Sequence, residues 1–195
     1  MHRLLLNSLA TVFVASGLVW MGSGPAVAQA PFQRTLSLQG VNFAVKSTGQ
    51  GSQQQLTITT TQGKRAFKPI HQTVDGTVVG AEVADLNGNG KPEIFVYVQS
   101  AGSGSYGELV AYAVDKSNRL SPIAMQELSG ALAQGYMGHD EYQVVEGCLT
   151  RRFPIYKPGD SNAKPTGGLR QICYKLKNGE ASWILRPTSV LQFDQ

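Results

Sequence analysis

Cysteine is nearly absent from this sequence: Cys148 and Cys173 are the only two in 195 residues, and histidine occurs three times, as His2, His71 and His139. A structural zinc site takes four nitrogen or sulfur ligands at short regular spacings. Two thiols and three scattered imidazoles do not make one, so no metal or other cofactor is expected on these residues. Beyond the first 30 residues no apolar run approaches the roughly 20 residues that a helical bilayer span requires. Concentrated basic surface is missing too, since "KRAFK" and "RR" are the only small clusters among 17 lysines and arginines. Nucleic-acid binders gather such charge on one face, and no nucleic-acid partner is expected. Helical periodicity is scarce. Only "SPIAMQELSGALAQGY" invites a helix, with Ser121 as its cap and Pro122 in its first turn.

Short, alternating, β-branched segments take the place of helices. "TLSLQGVNFAVKST" reads as two strands around a turn at Gly40, and "QQQLTITTTQG" as a strand that turns at Gly63. "TVVGAEVADL", "EIFVYVQ" and "ELVAYAVDKSNRL" follow, the last with Val110, Tyr112 and Val114 on one side. "EYQVVEGCLTRRFPIY" and "LRQICYKLK" give two more strands, and "ASWILRP" and "SVLQF" close the chain. Strands this short, broken by Gly, Asn and Pro, predict an all-β fold, an antiparallel β-sandwich with at most one short helix near 121–133. Polar hairpin tips are expected at 47–55 and 157–168.

The first 30 residues have the layout of a secretory signal: a basic start at His2 and Arg3, an apolar stretch from Leu4 to Trp20, then small residues. Cleavage is expected after Ala28, with Ala30 the other choice, and the absence of a following cysteine excludes a lipoprotein signal. Residues 29–195 are then one exported domain with no membrane span after processing. Losing Arg3 leaves 16 basic against 13 acidic residues, a mild net charge of +3. In an exported chain an even cysteine count favours a Cys148–Cys173 disulfide. If these two face each other across an antiparallel ladder, Arg151 faces Arg170, Val145 faces Leu176 and Gly168 faces Phe153. Opposed arginines are unfavourable without a nearby acid.

Four stretches could carry chemistry. "SAGSGSYGELV", residues 100–110, contains Gly102, Gly104 and Gly107 in the spacing of a dinucleotide cradle. That cradle must open a helix, and the residues that follow are β-rich. A serine hydrolase would need a base and an orienting acid near Ser103 or Ser105; His139 and His71 are the available bases, and Asp140 follows His139. A glycosidase would need two carboxylates across one cleft, and Glu93 and Glu108 have ordinary surface explanations. "DLNGNGKPE" sets Asp85, Asn87, Asn89 and Glu93 at calcium-loop positions one, three, five and nine, but calcium wants more carboxylate than this, and the string is also a good tight turn. A calcium-stabilised adhesive or scaffold domain is the alternative it offers. The loop at 100–107 can also be a recognition tip, in which one rigid tyrosine supplies contact area and small residues allow close approach. Its competing use is as a lid, with Tyr106 folded back on the sheet.

The runs "DLNGNGKPEIFVYVQSAGSGSYGELVAYAV", "GYMGHDEYQVVEGCLTRRFPIYKPGDSNAKPTGGLRQICYKL" and "ASWILRP" resemble, in order and from about Thr77 to Pro187, the periplasmic inhibitors of invertebrate-type lysozymes made by Gram-negative bacteria. The resemblance implies a β-sandwich, often a homodimer, that is not an enzyme and that serves in bacterial defence by blocking lysozyme. It implies that a loop carrying S-G-x-Y enters the lysozyme active-site cleft. Here that loop is Ser103, Gly104, Ser105 and Tyr106, between Gly102 and Gly107. Ser103 and Tyr106 would be the two inhibitory side chains, hydrogen-bonding the catalytic carboxylates of the target. Many lysozymes are basic, so with a net charge of +3 any electrostatic steering would have to come from a local acidic face around Glu108.

Overall fold

The alternating segments pair into two sheets in the computed structural model, which describes residues 31–49, 51–180 and 182–194. The signal segment expected at 1–28 lies outside these residues. The first sheet holds β1 (Gln33–Leu38), β2 (Val41–Thr48), β3 (Gln53–Gln62) and β4 (Arg65–Ala66) in that order, with β5 (Ile70–Asp75) pairing along β3 as well. The second holds β6 (Thr77–Ala84), β7 (Glu93–Gln99), β8 (Gly107–Val114), β9 (Leu120–Met125), β10 (Glu141–Val145), β11 (Cys148–Pro154), β12 (Leu169–Asn178) and β13 (Trp183–Phe193). Its spatial order is β10-β11-β12-β13-β9-β8-β7-β6. The fold is all-β, as expected. Its neighbours run antiparallel except for one parallel pair, β13 with β9.

Hydrophobic alternation explains the layering. Val41, Phe43 and Val45 of β2 point inward and pack with Leu56 and Ile58 of β3 against Ile94, Val96 and Val98 of β7. Val110, Tyr112 and Val114 join them from β8 on one face, as their spacing predicts. β7 does not alternate. It is an apolar run buried on both sides, the pattern of a strand between two cores, and Phe95 and Tyr97 point the opposite way into a second core with Leu149, Phe153, Ile172, Tyr174 and Leu185.

That second core exists because the eight-stranded sheet curls until its edges nearly meet. Glu82 of β6 accepts a hydrogen bond from the backbone N–H of Val144 in β10 at 2.8 Å and from the Tyr97 hydroxyl at 2.5 Å. Tyr97 also stacks on Tyr142 with ring centres 5.8 Å apart. One carboxylate thus occupies a donor that an edge strand would otherwise leave open.

Several expectations need correction. The limit of one short helix near 121–133 holds, but no helix starts at Ser121 and Pro122. Residues 120–125 are β9, followed only by a short 3-10 turn at Gly130–Leu132. Pro122, which has no N–H to give, sits where β9 passes from β8, which it pairs over 120–122, to β13, which it pairs over 123–125. "EYQVVEGCLTRRFPIY" is a hairpin, β10 and β11, with Glu146 and Gly147 both left-handed at its turn (φ 49 and 70). The final two segments fuse into β13, which absorbs an irregularity opposite Cys173 and Tyr174.

The disulfide does form between Cys148 and Cys173, with Cα atoms 5.4 Å apart. The register differs from a direct cysteine pair: Cys173 faces Thr150, Arg151 faces Ile172, and Phe153 faces Arg170 rather than Gly168, while Val145 faces Cys148. The bond therefore runs diagonally. A two-residue shift leaves every side chain on its expected face, and it separates the two arginines. Arg170 donates to the carbonyls of Ala131, Leu132 and Gln134 at 3.1, 2.9 and 2.9 Å, and Arg151 reaches the acid that makes its burial tolerable.

Candidate functional site

The loop at 100–106 joins β7 to β8 at one end of the second sheet, where Gln99 pairs with Gly107. Its base closes like a hairpin. The Ser100 N–H donates to the Tyr106 carbonyl at 2.8 Å, and the Tyr106 N–H donates to Ser100 Oγ at 2.9 Å. Within it the Ser105 N–H reaches the Gly102 carbonyl at 3.2 Å, with Ser105 in the left-handed region (φ 42). Ser103 is exposed, and Tyr106 is 49% exposed.

Tyr106 neither projects freely nor lies flat. Its ring meets Tyr136 edge-on, with centres 5.7 Å apart. The inner face covers Gly104 so closely that a Cβ there would stand 2.4 Å from Cε2 of the ring. The motif glycine is therefore required by the tyrosine two positions on, not by backbone conformation. Gly104→Ala is expected to push the ring aside, because a tyrosine side chain yields more readily than backbone. Thermal unfolding should stay near wild type while the Tyr106 ring resonances lose the shifts that its edge contact with Tyr136 gives them; unchanged ring shifts in Gly104→Ala would refute this role.

Support comes from the segment before β10 and from the β11 side. The His139 N–H donates to the Gly104 carbonyl at 2.7 Å, and Asn162 Nδ2 donates to the Ser103 carbonyl at 2.6 Å. Gly138 is left-handed (φ 93), and a Cβ there would lie 2.0 Å from the Gly104 oxygen. At the loop's C-terminal root, Asp140 Oδ2 accepts the Gly107 N–H at 2.8 Å and the Tyr136 hydroxyl at 2.5 Å. Its other oxygen accepts Arg151 Nε at 2.7 Å, with both side chains almost wholly buried. Arg151 Nη2 donates to the Tyr136 hydroxyl at 2.8 Å, and the guanidinium lies 4.9 Å from the Tyr136 ring centre and 5.6 Å from that of Tyr142. Burial, reinforced by the Asp140 acceptor, raises the Tyr136 hydroxyl above the usual phenol range despite the opposing Arg151 charge. It remains a donor across the physiological range.

The other sequence candidates land elsewhere. His139 places Nε2 3.3 Å from Asn162 Oδ1 and stacks on Tyr156, while Asp140 turns inward to Arg151. The hollow beside His139 is lined by Glu141, Pro154, Tyr156, Asn162, Pro165 and Leu169 among others, with neither Ser103 nor Ser105 in its wall. His71 pairs with Thr57 on the first sheet. Burial and the charge of Asp75 both raise the Glu108 carboxyl, which places two acids near one another beside the loop.

At 85–93 the loop satisfies its own oxygens. Asp85 accepts Asn89 N–H at 3.0 Å, Gly90 N–H at 2.8 Å and Gln39 Nε2 at 2.8 Å. Asn87 Oδ1 accepts the Asn89 N–H, and Asn89 Oδ1 accepts the Lys91 N–H. Glu93, fully buried, accepts Leu86 N–H at 2.7 Å and Asn87 Nδ2 at 3.1 Å. Among the described residues no group of three or more His, Cys, Asp or Glu side chains is placed to hold a metal ion. Burial pushes the Glu93 carboxyl up to about 7, aided by the Asp85 charge and opposed by the Leu86 amide. A folded-state value above the ordinary 4.5 means that Glu93's contribution to stability is full below pH 4.5 and is lost as pH rises through 7. The urea midpoint should therefore decline from pH 5 to pH 8, and Glu93→Gln should flatten that decline. An equal slope in both proteins would contradict it.

The fold thus carries the accessible Ser103 and Tyr106 side chains on a tip whose backbone is tied at the Ser103 and Gly104 carbonyls. Residues 67–133 match the family model described as periplasmic lysozyme inhibitor of I-type lysozyme. The matched stretch contains β5 to β9 and the whole 100–107 loop, and it ends before Asp140, Arg151 and Asn162. No curated protein matches the chain. The family match supports a periplasmic lysozyme inhibitor in general, with lysozyme as partner, and points away from an enzyme.

Proposed function

We propose that this protein blocks an invertebrate-type lysozyme by seating Ser103 and Tyr106 in its active-site cleft, with Gly102, Gly104, Ser105 and Gly107 allowing the close approach. The observation that carries the reading is the bracing of the tip: the consecutive carbonyls of Ser103 and Gly104 are both tied down from outside the loop, at 2.6 and 2.7 Å. A plain hairpin turn needs no such ties. They fix the backbone while the Ser103 and Tyr106 side chains stay accessible.

The chemistry suits the target. A retaining glycosidase such as lysozyme works with one ionised and one protonated carboxyl on either side of the scissile bond. A hydroxyl both donates and accepts, so serine and tyrosine can pair with either group. Occlusion of the cleft needs no covalent step and no cofactor. Secretion by the segment 1–28 would place residues 29–195 in the periplasm, where such an inhibitor shields peptidoglycan. The test is inhibition of purified invertebrate-type lysozyme, compared with other lysozyme types. Absence of inhibition at micromolar protein would end the proposal.

A further inference from the structure

We propose that Asn162 is a positioning residue for the inhibitory tip, and that the 157–168 loop is the strap that carries it; this rests on the lysozyme reading above for its consequence but not for its geometry. A run rich in Gly and Ser has little conformational preference of its own, and ordering each backbone residue costs about 1–2 kcal/mol. The internal bonds of the 100–106 loop fix its base and one turn, Ser100 with Tyr106 and Gly102 with Ser105. Among the bonds described for this loop, the carbonyls of Ser103 and Gly104 are held only from outside, by Asn162 and by the His139 backbone.

Both holders are themselves fixed. Asp160 folds the strap on itself by accepting the N–H groups of Lys157 and Thr166 at 2.7 and 2.8 Å and the Thr166 hydroxyl at 2.9 Å. Ser161 and Lys164 form a backbone bridge, and the Asn162 carbonyl accepts the Tyr156 hydroxyl at 2.9 Å. Asn162 Oδ1 faces His139 Nε2 at 3.3 Å, so one amide side chain links the two holders. His139 is a non-glycine residue in the left-handed region (φ 57), directly after left-handed Gly138 (φ 93). Such backbone persists only where surroundings over-determine it, and here it aims the His139 N–H at the Gly104 oxygen. The tip is therefore shaped by a segment nearly 60 positions away, and Asn162 acts through Ser103 without needing to touch the target.

Asn162→Ala removes the bond to Ser103 and the longer contact with His139 from a partly exposed site. Its melting temperature should match wild type, its inhibition should weaken about three- to tenfold, and the loss should fall mainly on the association rate. Asn162→Asp keeps the acceptor for His139 and loses the donor for Ser103, so it should behave like Asn162→Ala. Combined with Tyr106→Ala, the loss should be smaller than the product of the two single effects. The decisive readout uses the free protein: amide exchange at 102–106 should speed up in both Asn162 variants. Unchanged exchange overturns the positioning role whatever the inhibition assay gives. Faster exchange in a protein that inhibits no lysozyme upholds the positioning and removes the lysozyme reading instead.

Discussion

Tyr106→Ala is expected to weaken inhibition of an invertebrate-type lysozyme about a hundredfold, with the melting temperature essentially unchanged. The size follows from what the ring is: the one large side chain in a loop of small residues, half exposed and pre-oriented by Tyr136 on its edge and Gly104 beneath it. Anchors of this kind dominate protein interfaces because burying them adds contact area at little entropic cost. Stability should not follow, because half of the ring already faces solvent in the free protein. Ser103→Ala removes one hydroxyl and should lose less, about tenfold. Inhibition constants for the two variants check this, and equal potency of Tyr106→Ala and wild type would exclude the loop as the contact.

Breaking the Asp140–Arg151 pair should have the opposite signature. Either single alanine substitution leaves a buried charge without its partner, which costs about 3–5 kcal/mol. For a domain of this size that lowers the melting temperature by roughly 10 °C. Asp140→Ala also strips the acceptor from the Gly107 N–H and from the Tyr136 hydroxyl, so inhibition should fall along with stability. Replacing both residues by apolar ones of similar volume should recover much of the stability without the inhibition, since the root of the loop would still lack its acceptor. Calorimetry with an inhibition assay on the single and double variants separates the two effects. A double variant as unstable as Arg151→Ala would argue against the pair as the cause.

Local rules made the sandwich legible. Alternation in β2 and β3, the unbroken apolar run of β7 and the turn chemistry at Gly40 and Gly63 each depend on residues within one strand or hairpin. The one short helix allowed near 121–133 is the turn at Gly130–Leu132, and only its start was misplaced: Ser121–Pro122 resembles a helix start, yet Leu120, Ile123 and Met125 follow strand spacing and find β8 and β13. Strand registers failed by two residues for another reason: a diagonal disulfide satisfies the same alternation as a direct one. That residues 100–106 form a loop between two strands was legible from their Gly and Ser between two β-rich runs. What holds it was not. Asp140, Gly138 and Asn162 lie 33 to 59 positions from their contacts, and no periodicity links residues so far apart. His139 and Asp140 stood out in the sequence as a base and an acid. Their roles are structural instead, one through its backbone and the other through a buried ion pair.

β7 carries a last consequence. It is the strand both cores share, with Ile94, Val96 and Val98 on one side and Phe95 and Tyr97 on the other. Opening it would expose both cores at once, so local fluctuations will spare it longest while an edge such as β1 frays. The 100–106 loop grows directly from its end. A loop that must stay shaped is thus rooted in the strand that both cores hold. Mutational drift at the β1 edge can therefore proceed without loosening the tip, whereas the β10 edge, which follows His139 and Asp140 and carries Tyr142, is tied to it.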